Sequence, residues 1–400
     1  MRTSTDRILT THAGSLIRPY DIVKKIRAQV HGEAWDEASF EAAVRGGVRD
    51  VVRKQVEMGI DVPSDGEFGK LGWNNYVGER FGGLKASKTV YAGRLRSVSR
   101  DRTQFSDFYN TYTRFETIMW LPEELRAAPT EETSGLVWEI EGPITYTGQA
   151  AIERDIANFK AAMQAAGVDE GFLPVVAPGS AEPGLVDHYY ASADKRLEDL
   201  TKALRQEYLA VIDAGLLLQV DDAFLPALYD RMQNDMSMEE YLRFAEARID
   251  ALNTALEGIP EDRVRYHICW GSWNGPHVTD VPLKDIVQLV LKVKAQGISF
   301  EAANPRHEHE FKLWEDVKLP AGKVLIPGVV THSTNVVEHP ELVAMRIGNF
   351  ARLVGRENVI AGTDCGFAQH WNMIRTHESV QWAKLGSLVE GAALASKALW

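Results

Sequence analysis

Cysteine is nearly absent from this chain, with two in 400 residues, so a disulfide framework cannot hold it together. No run approaches the eighteen or so uninterrupted apolar residues of a membrane span. Positive charge is not in excess: 44 lysines and arginines stand against 56 acidic residues, a net charge of −12. That balance argues against non-specific nucleic-acid binding, although a pocket can still be locally positive. The opening residues Met1 to Arg7 carry no secretory apolar core, which sets the expectation of a cytoplasmic, reduced protein. Low-complexity tracts and short tandem repeats are missing, and no glycine-rich dinucleotide loop follows the first apolar run. What remains is an ordinary soluble composition, 45% hydrophobic and 25% charged, with enough residues for a large core.

The two cysteines sit in informative places. Cys269 lies in Tyr266-His267-Ile268-Cys269-Trp270, at the end of a β-branched apolar run, and Cys365 lies in Thr363-Asp364-Cys365-Gly366, at the end of another. Residues two apart on a strand share a face, so His267 and Cys269 can bind one ion together. One nitrogen and two thiolates would suit a zinc ion with a place left open. Spacing alone leaves two other readings standing, buried small hydrophobes and a disulfide.

Short apolar runs alternate with helical patterns along most of the chain. Strands are expected at 8–11, 60–64, 172–177, 216–220, 264–269, 298–300, 324–329 and 359–361, and helices at 37–58, 197–214, 238–256, 283–295 and 340–353. Gly59, Gly215 and Gly297 mark helix-to-strand turns. This order predicts an α/β fold, a (β/α)8 TIM barrel spanning 1–400 as one catalytic unit, with a doubly wound sheet as the alternative. Between 68 and 171 lie about a hundred residues where a barrel needs one helix and a turn. The expectation is an insertion after the second strand, a hairpin with helices ending in a helix over 147–166, that caps the barrel rim.

Chemistry in such a barrel sits where the strands end. The expected strand ends run into His12-Ala13-Gly14-Ser15, Asp65-Gly66-Glu67, Pro178-Gly179-Ser180, Asp221-Asp222, His267 with Cys269, Glu301, Thr331-His332 and Asp364-Cys365. Each has an ordinary explanation on its own: a helix cap for Asp221 or Ser15, a turn for Asp65-Gly66, a satisfied core histidine for His12, an ion pair with Arg306 for Glu301. Their convergence on one rim is what points to a site.

With these motifs the chain resembles the catalytic barrel of cobalamin-independent methionine synthase and its stand-alone relatives, including the epoxyalkane:coenzyme M transferases. The resemblance runs from about Thr10 to Gly366 in the same order. It implies zinc as cofactor, with His267, Cys269, Glu301 and Cys365 as ligands. It implies that Gly14 and Ser15 meet the acidic group of a thiol substrate, that Glu67 and Asp221 hold its ammonium, and that His332 protonates the leaving group. The activity implied is transfer of a methyl or alkyl group to a small thiol, homocysteine or an analogue. Arg18 and Lys70 are further candidates for a sulfonate or carboxylate. The stretch Ala177 to Gly184 departs from the family by lacking the tryptophan that stacks on folate, and Asp221-Asp222-Ala223 alters its acidic strand end. Trp73, Tyr76, Trp270 or Trp273 are the aromatics that would replace it. An epoxide- or ether-opening thiol transferase is therefore the alternative. Zinc-activated hydrolysis, a metal-free decarboxylase-like barrel and a binding-only role rank lower, and His307-Glu308-His309 reads as a solvated loop before it reads as a second metal cluster. The expected partners are a small-molecule thiol and an alkyl donor, with no nucleic acid and no membrane, and aromatics in the insertion would suit a homodimer.

Overall fold

A computed structural model describes residues 1–87, 99–112, 137–231 and 236–400. Seven parallel strands form one curled sheet in the order β1 (Leu9–Thr10), β10 (Ile360–Thr363), β9 (Val324–Val330), β8 (Gly297–Phe300), β7 (Val264–His267), β6 (Leu217–Asp221) and β4 (Phe172–Val176). Every strand of the sheet is followed by a helical segment, β1 by the helices Tyr20–His31 and Glu37–Met58. All residues of β4, β6, β7, β8, β9 and β10 are buried, which explains why these runs read as continuous rather than alternating.

The expected strand over 60–64 is not a strand. Its residues make two isolated parallel bridges, Thr11 with Val62 and Ser64 with Phe172, and so touch both edges of the curled sheet, β1 and β4. The cause is local. Pro63 has no N–H to give a ladder. The Asp61 carboxylate accepts from Thr10 N at 2.9 Å and from Thr10 Oγ1 at 3.0 Å, which substitutes side-chain bonds for ladder bonds.

The helices expected from periodicity are present, with ends moved by a few residues: Glu37–Met58, Ala193–Asp213, Met238–Ala255, Leu283–Lys292 and Pro340–Val354. Asp36 caps the first through Ala38 N at 3.1 Å, and Gly59 closes it in the left-handed region. Among the described long helices, Tyr20–His31 and Glu378–Leu399 escaped the periodicity. The latter buries Gln381, Lys384 and Ser387 beside its leucines, which breaks the apolar stripe a sequence would show.

Within the segment 68–171 two strands pair. β2 (Phe81–Ser87) pairs antiparallel with β3 (Val137–Tyr146), and β5 (Leu185–Asp187), from the loop after β4, adds a parallel third strand. The helix at its end runs Gln149–Ala166. Residues 113–136, where part of the capping insertion was expected, lie outside the described residues. Arg80 docks this sheet: its buried guanidinium pairs with Asp155 and, at 2.7 Å, with Glu207, both on helices that flank β4.

Candidate functional site

His267 closes β7, and β6 delivers Asp221 directly opposite it in register. Cys269 follows two residues later, and Cys365 stands two residues beyond the end of β10. The metal-binding atoms of His267, Cys269 and Cys365 all lie within 4.8 Å of one another, the one such group of three or more among the described residues. His267 Nδ1 meets Ser299 Oγ at 3.1 Å, while its buried Nε2 has no hydrogen-bond partner. An unpaired polar atom in a dry site is costly, so its place is reserved for something.

Neither sulfur is in a disulfide. The neighbouring Cys269, with help from His267, holds the Cys365 thiol well below the ordinary range against its burial, while the nearness of Cys365, together with burial, pushes Cys269 well up. Asp364, between β10 and Cys365, accepts from Ala302 N and Ala303 N at 2.8 Å each and so ties the end of β8 to the Cys365 turn.

Glu301 follows β8 as expected but stands outside the three-residue group. One oxygen accepts from Trp270 N at 2.8 Å and the other from Asn304 Nδ2 at 2.8 Å. It is not paired with Arg306, whose Nε donates instead to the His277 carbonyl at 3.1 Å.

A cavity opens above the sulfurs. Its floor and one side carry Ser15, Glu67, Asp221, His267, Cys269 and Cys365. Glu67 has φ 60°, and its Oε2 is buried without a partner. Burial and the like charge of Asp221 push Glu67 up to about 8 against the pull of Lys70. Burial raises Asp221 to about 6, opposed by His267 and by a 2.8 Å bond from Gln219 Nε2. Gly14 must be glycine: φ is 120°, and a Cβ would lie 2.8 Å from Pro174 Cγ and 3.0 Å from Glu67 Oε1.

His332 is buried, and neither ring nitrogen has a hydrogen-bond partner. Burial lowers it to about 4, so the ring is neutral at pH 7. It does not line the cavity, but the charge of Cys365 acts on it. Arg18 and Lys70 are not anion receptors. The Arg18 guanidinium donates to the carbonyls of Glu67, Lys70 and Ala368, and Lys70 Nζ donates to the carbonyl of Pro174 and lies over the Tyr76 ring. Sequence alone could not show carbonyls arriving from other segments.

The opposite wall is aromatic. Trp73 packs on Phe224 with centroids 5.2 Å apart, and the Arg231 guanidinium lies 4.6 Å from the Trp273 ring centroid. Trp273 also stacks on His277 at 4.0 Å and donates Nε1–H to Tyr109 of the insertion at 2.9 Å. Of the candidate aromatics, Trp73 and Trp273 face the cavity, while Tyr76 and Trp270 are core residues. Phe224, Arg231, Ser272, Gln369 and Arg375 also line the cavity and were not foreseen. Their nearness in sequence to Asp221, Cys269 or Cys365 was the available signal.

His307 forms no metal cluster. It bridges Asp280 Oδ2 at 3.0 Å and Glu310 Oε2 at 2.9 Å, and it stacks on Trp270 at 4.0 Å. His309 is exposed.

The signature of the cobalamin-independent synthase catalytic domain matches residues 8–171 and 188–387. A methionine synthase of Sulfolobus acidocaldarius is 24% identical over 360 residues, covering 89% of this chain and 85% of that protein. An uncharacterized Bacillus subtilis protein, YxjH, is 22% identical over 393 residues, covering 95% of this chain and 92% of that one. Among solved structures, a B12-independent methionine synthase from Shewanella sp. W3-18-1, in complex with selenomethionine, superimposes with a TM-score of 0.70 at 19% identity, covering 98% of this chain and 99% of the other. At that identity the likeness speaks for the fold.

Proposed function

The chain belongs to the cobalamin-independent synthase catalytic-domain family, and from that premise we propose that it transfers a methyl or similar alkyl group to the sulfur of homocysteine or an analogue, using zinc. The observation that carries this reading is the unpartnered His267 Nε2 beside two cysteine sulfurs at the floor of the cavity. Two sulfurs and one imidazole nitrogen are a zinc donor set, and Ser299 on the far nitrogen fixes which ring atom faces the metal. In this reading Glu301 takes the fourth place at rest. Zinc held there would supply the substrate sulfur as a thiolate at neutral pH.

The chain's own residues do the rest. Asp221 and Glu67, two buried carboxylates with one partnerless oxygen between them, receive the substrate ammonium, and the turn at Gly14 and Ser15 receives its carboxylate. Half-buried Trp73 and Phe224 shape the donor side and exclude water from the sulfur. His332, with both nitrogens unengaged, manages the proton of the leaving group. We read 61–64 as the eighth member that closes the curled sheet into a barrel, and 68–171 as an insertion whose Tyr109 reaches the cavity wall. Two free cysteines fit a reducing, cytoplasmic setting.

Purified protein is expected to hold about one zinc per chain and to form methionine from homocysteine and a methyl donor. Cys365→Ser should lose both metal and activity. An active protein without zinc would end this reading. The second reading, opening of an epoxide or ether by a thiol, draws on the absence of any aromatic over Ala177 to Gly184. Thioether formation from an epoxide in place of methionine would select it.

A further inference from the structure

An enzyme that alkylates a zinc-bound substrate sulfur faces a chemical difficulty of its own making. Its two ligand sulfurs are also zinc-bound, and both line the same cavity. Cys365 is the more open of the two, 7% exposed against 1% for Cys269.

The turn after Cys269 answers this. Ser272, itself on the cavity wall, donates its hydroxyl to Cys365 Sγ at 3.5 Å. The turn therefore gives a hydrogen bond to the more open of the two protein sulfurs. The turn is held rigid on both sides. Trp270 donates its N–H to Glu301 and its Nε1–H to the Val281 carbonyl at 2.6 Å, and Trp273 is clamped by His277 and Tyr109. Gly271 is required for the shape: φ is 112°, and a Cβ there would lie 1.9 Å from Trp273 Cζ3.

Hydrogen bonds to a thiolate draw off electron density and lower its nucleophilicity, as a lowered thiol pKa does. We infer that the turn Trp270–Trp273 is a selectivity device, in which Ser272 hydrogen-bonds the protein's own Cys365 sulfur so that the substrate sulfur is alkylated in its place. Ser272 acts through Cys365 and touches no reacting atom, so it is a positioning residue. The inference rests on the zinc reading above.

The test uses iodoacetamide on the zinc-loaded full chain without substrate, with each cysteine followed by mass spectrometry at low conversion. In that reaction the thiolate forms a carbon–sulfur bond, the carbon–iodine bond breaks, and iodide leaves with the electron pair; no proton moves. Ser272→Ala should raise the Cys365 rate about tenfold, the scale of a lost outer-shell partner, and leave Cys269 unchanged. Ser272→Thr and Ser272→Val fill nearly equal space and differ in the hydroxyl. Thr should protect Cys365 and Val should not. Equal Cys365 rates in Thr and Val would overturn the inference. Zinc content is measured on every sample before the reagent is added, so a wild-type chain without zinc overturns the zinc reading itself and is told apart from equal rates in zinc-loaded variants.

Discussion

His267 reaches the cavity with one nitrogen engaged by Ser299 and the other without a hydrogen-bond partner, and that division suits the proposed ligand better than a satisfied core histidine. The H-x-C and D-C-G motifs were legible in the sequence because cysteine is so rare here that its position carries information. Arg18 and Lys70 were not legible in the same way, since the partner of a buried cation depends on which carbonyls the fold brings to it. Ser272 was invisible for a similar reason: its partner lies 93 residues away. Asp221 lies between these cases, placed by its strand end and given meaning by Glu67 beside it. Burial holds Asp221 at about 6, so it is mostly ionised at pH 7 and able to receive an ammonium. Asp221→Asn should raise the KM for homocysteine tenfold or more, on the order of the 2 kcal/mol or more lost when one member of a buried charge pair is removed, with zinc content unchanged. An unchanged KM in steady-state kinetics would remove Asp221 from the ammonium's site.

At the scale of elements, the long helices and the buried strands followed their periodicity, and the departures have local causes. Pro63 and Asp61 cancel a strand; Gln381, Lys384 and Ser387 hide a helix. The loops hold a further structure that no pattern announces. Asp280 Oδ2 accepts from His277 Nδ1 at 2.9 Å and from His307 Nε2 at 3.0 Å, while the remaining nitrogens face the Trp273 carbonyl and Glu310. Each ring thus faces two acceptors, which favours its charged form and raises both histidines above the ordinary range. Burial works against the charge on His307, but its bonds to Asp280 and Glu310 win and push it up to about 10. A raised value means stabilisation that is complete below the free imidazole's 6.5 and lost as pH rises through about 10. The melting temperature should therefore fall between pH 7 and pH 10, and His307→Gln should flatten that fall while lowering stability at pH 6. A parallel decline in variant and wild type, followed by thermal unfolding, would assign the pH dependence elsewhere.

For the molecule as a whole, the order of seven of the eight expected strands and of most long helices was readable, because each such unit carries its own apolar pattern. How the segment 68–171 joins the body was not. Asp230 accepts from Ser99 Oγ at 2.6 Å and from Asp101 N at 2.9 Å, and Asp101 in turn accepts from Val278 N at 3.1 Å and from Tyr109 Oη at 2.6 Å. Such side-chain-to-backbone ties leave no periodic trace in a sequence. The segment 61–64 has a counterpart consequence. Elsewhere neighbouring strands of the curled sheet share ladders, but here each edge is stitched by a single bridge. This is the seam of the molecule, and it runs straight into Gly66 and Glu67 at the cavity. Amides flanking it should exchange with deuterium sooner than those of β7 to β9, and if they are equally protected the seam is no weaker than the rest. If the seam loosens first, the cavity would open from the Glu67 side, and small molecules would enter and leave along one line while the sulfur side held still.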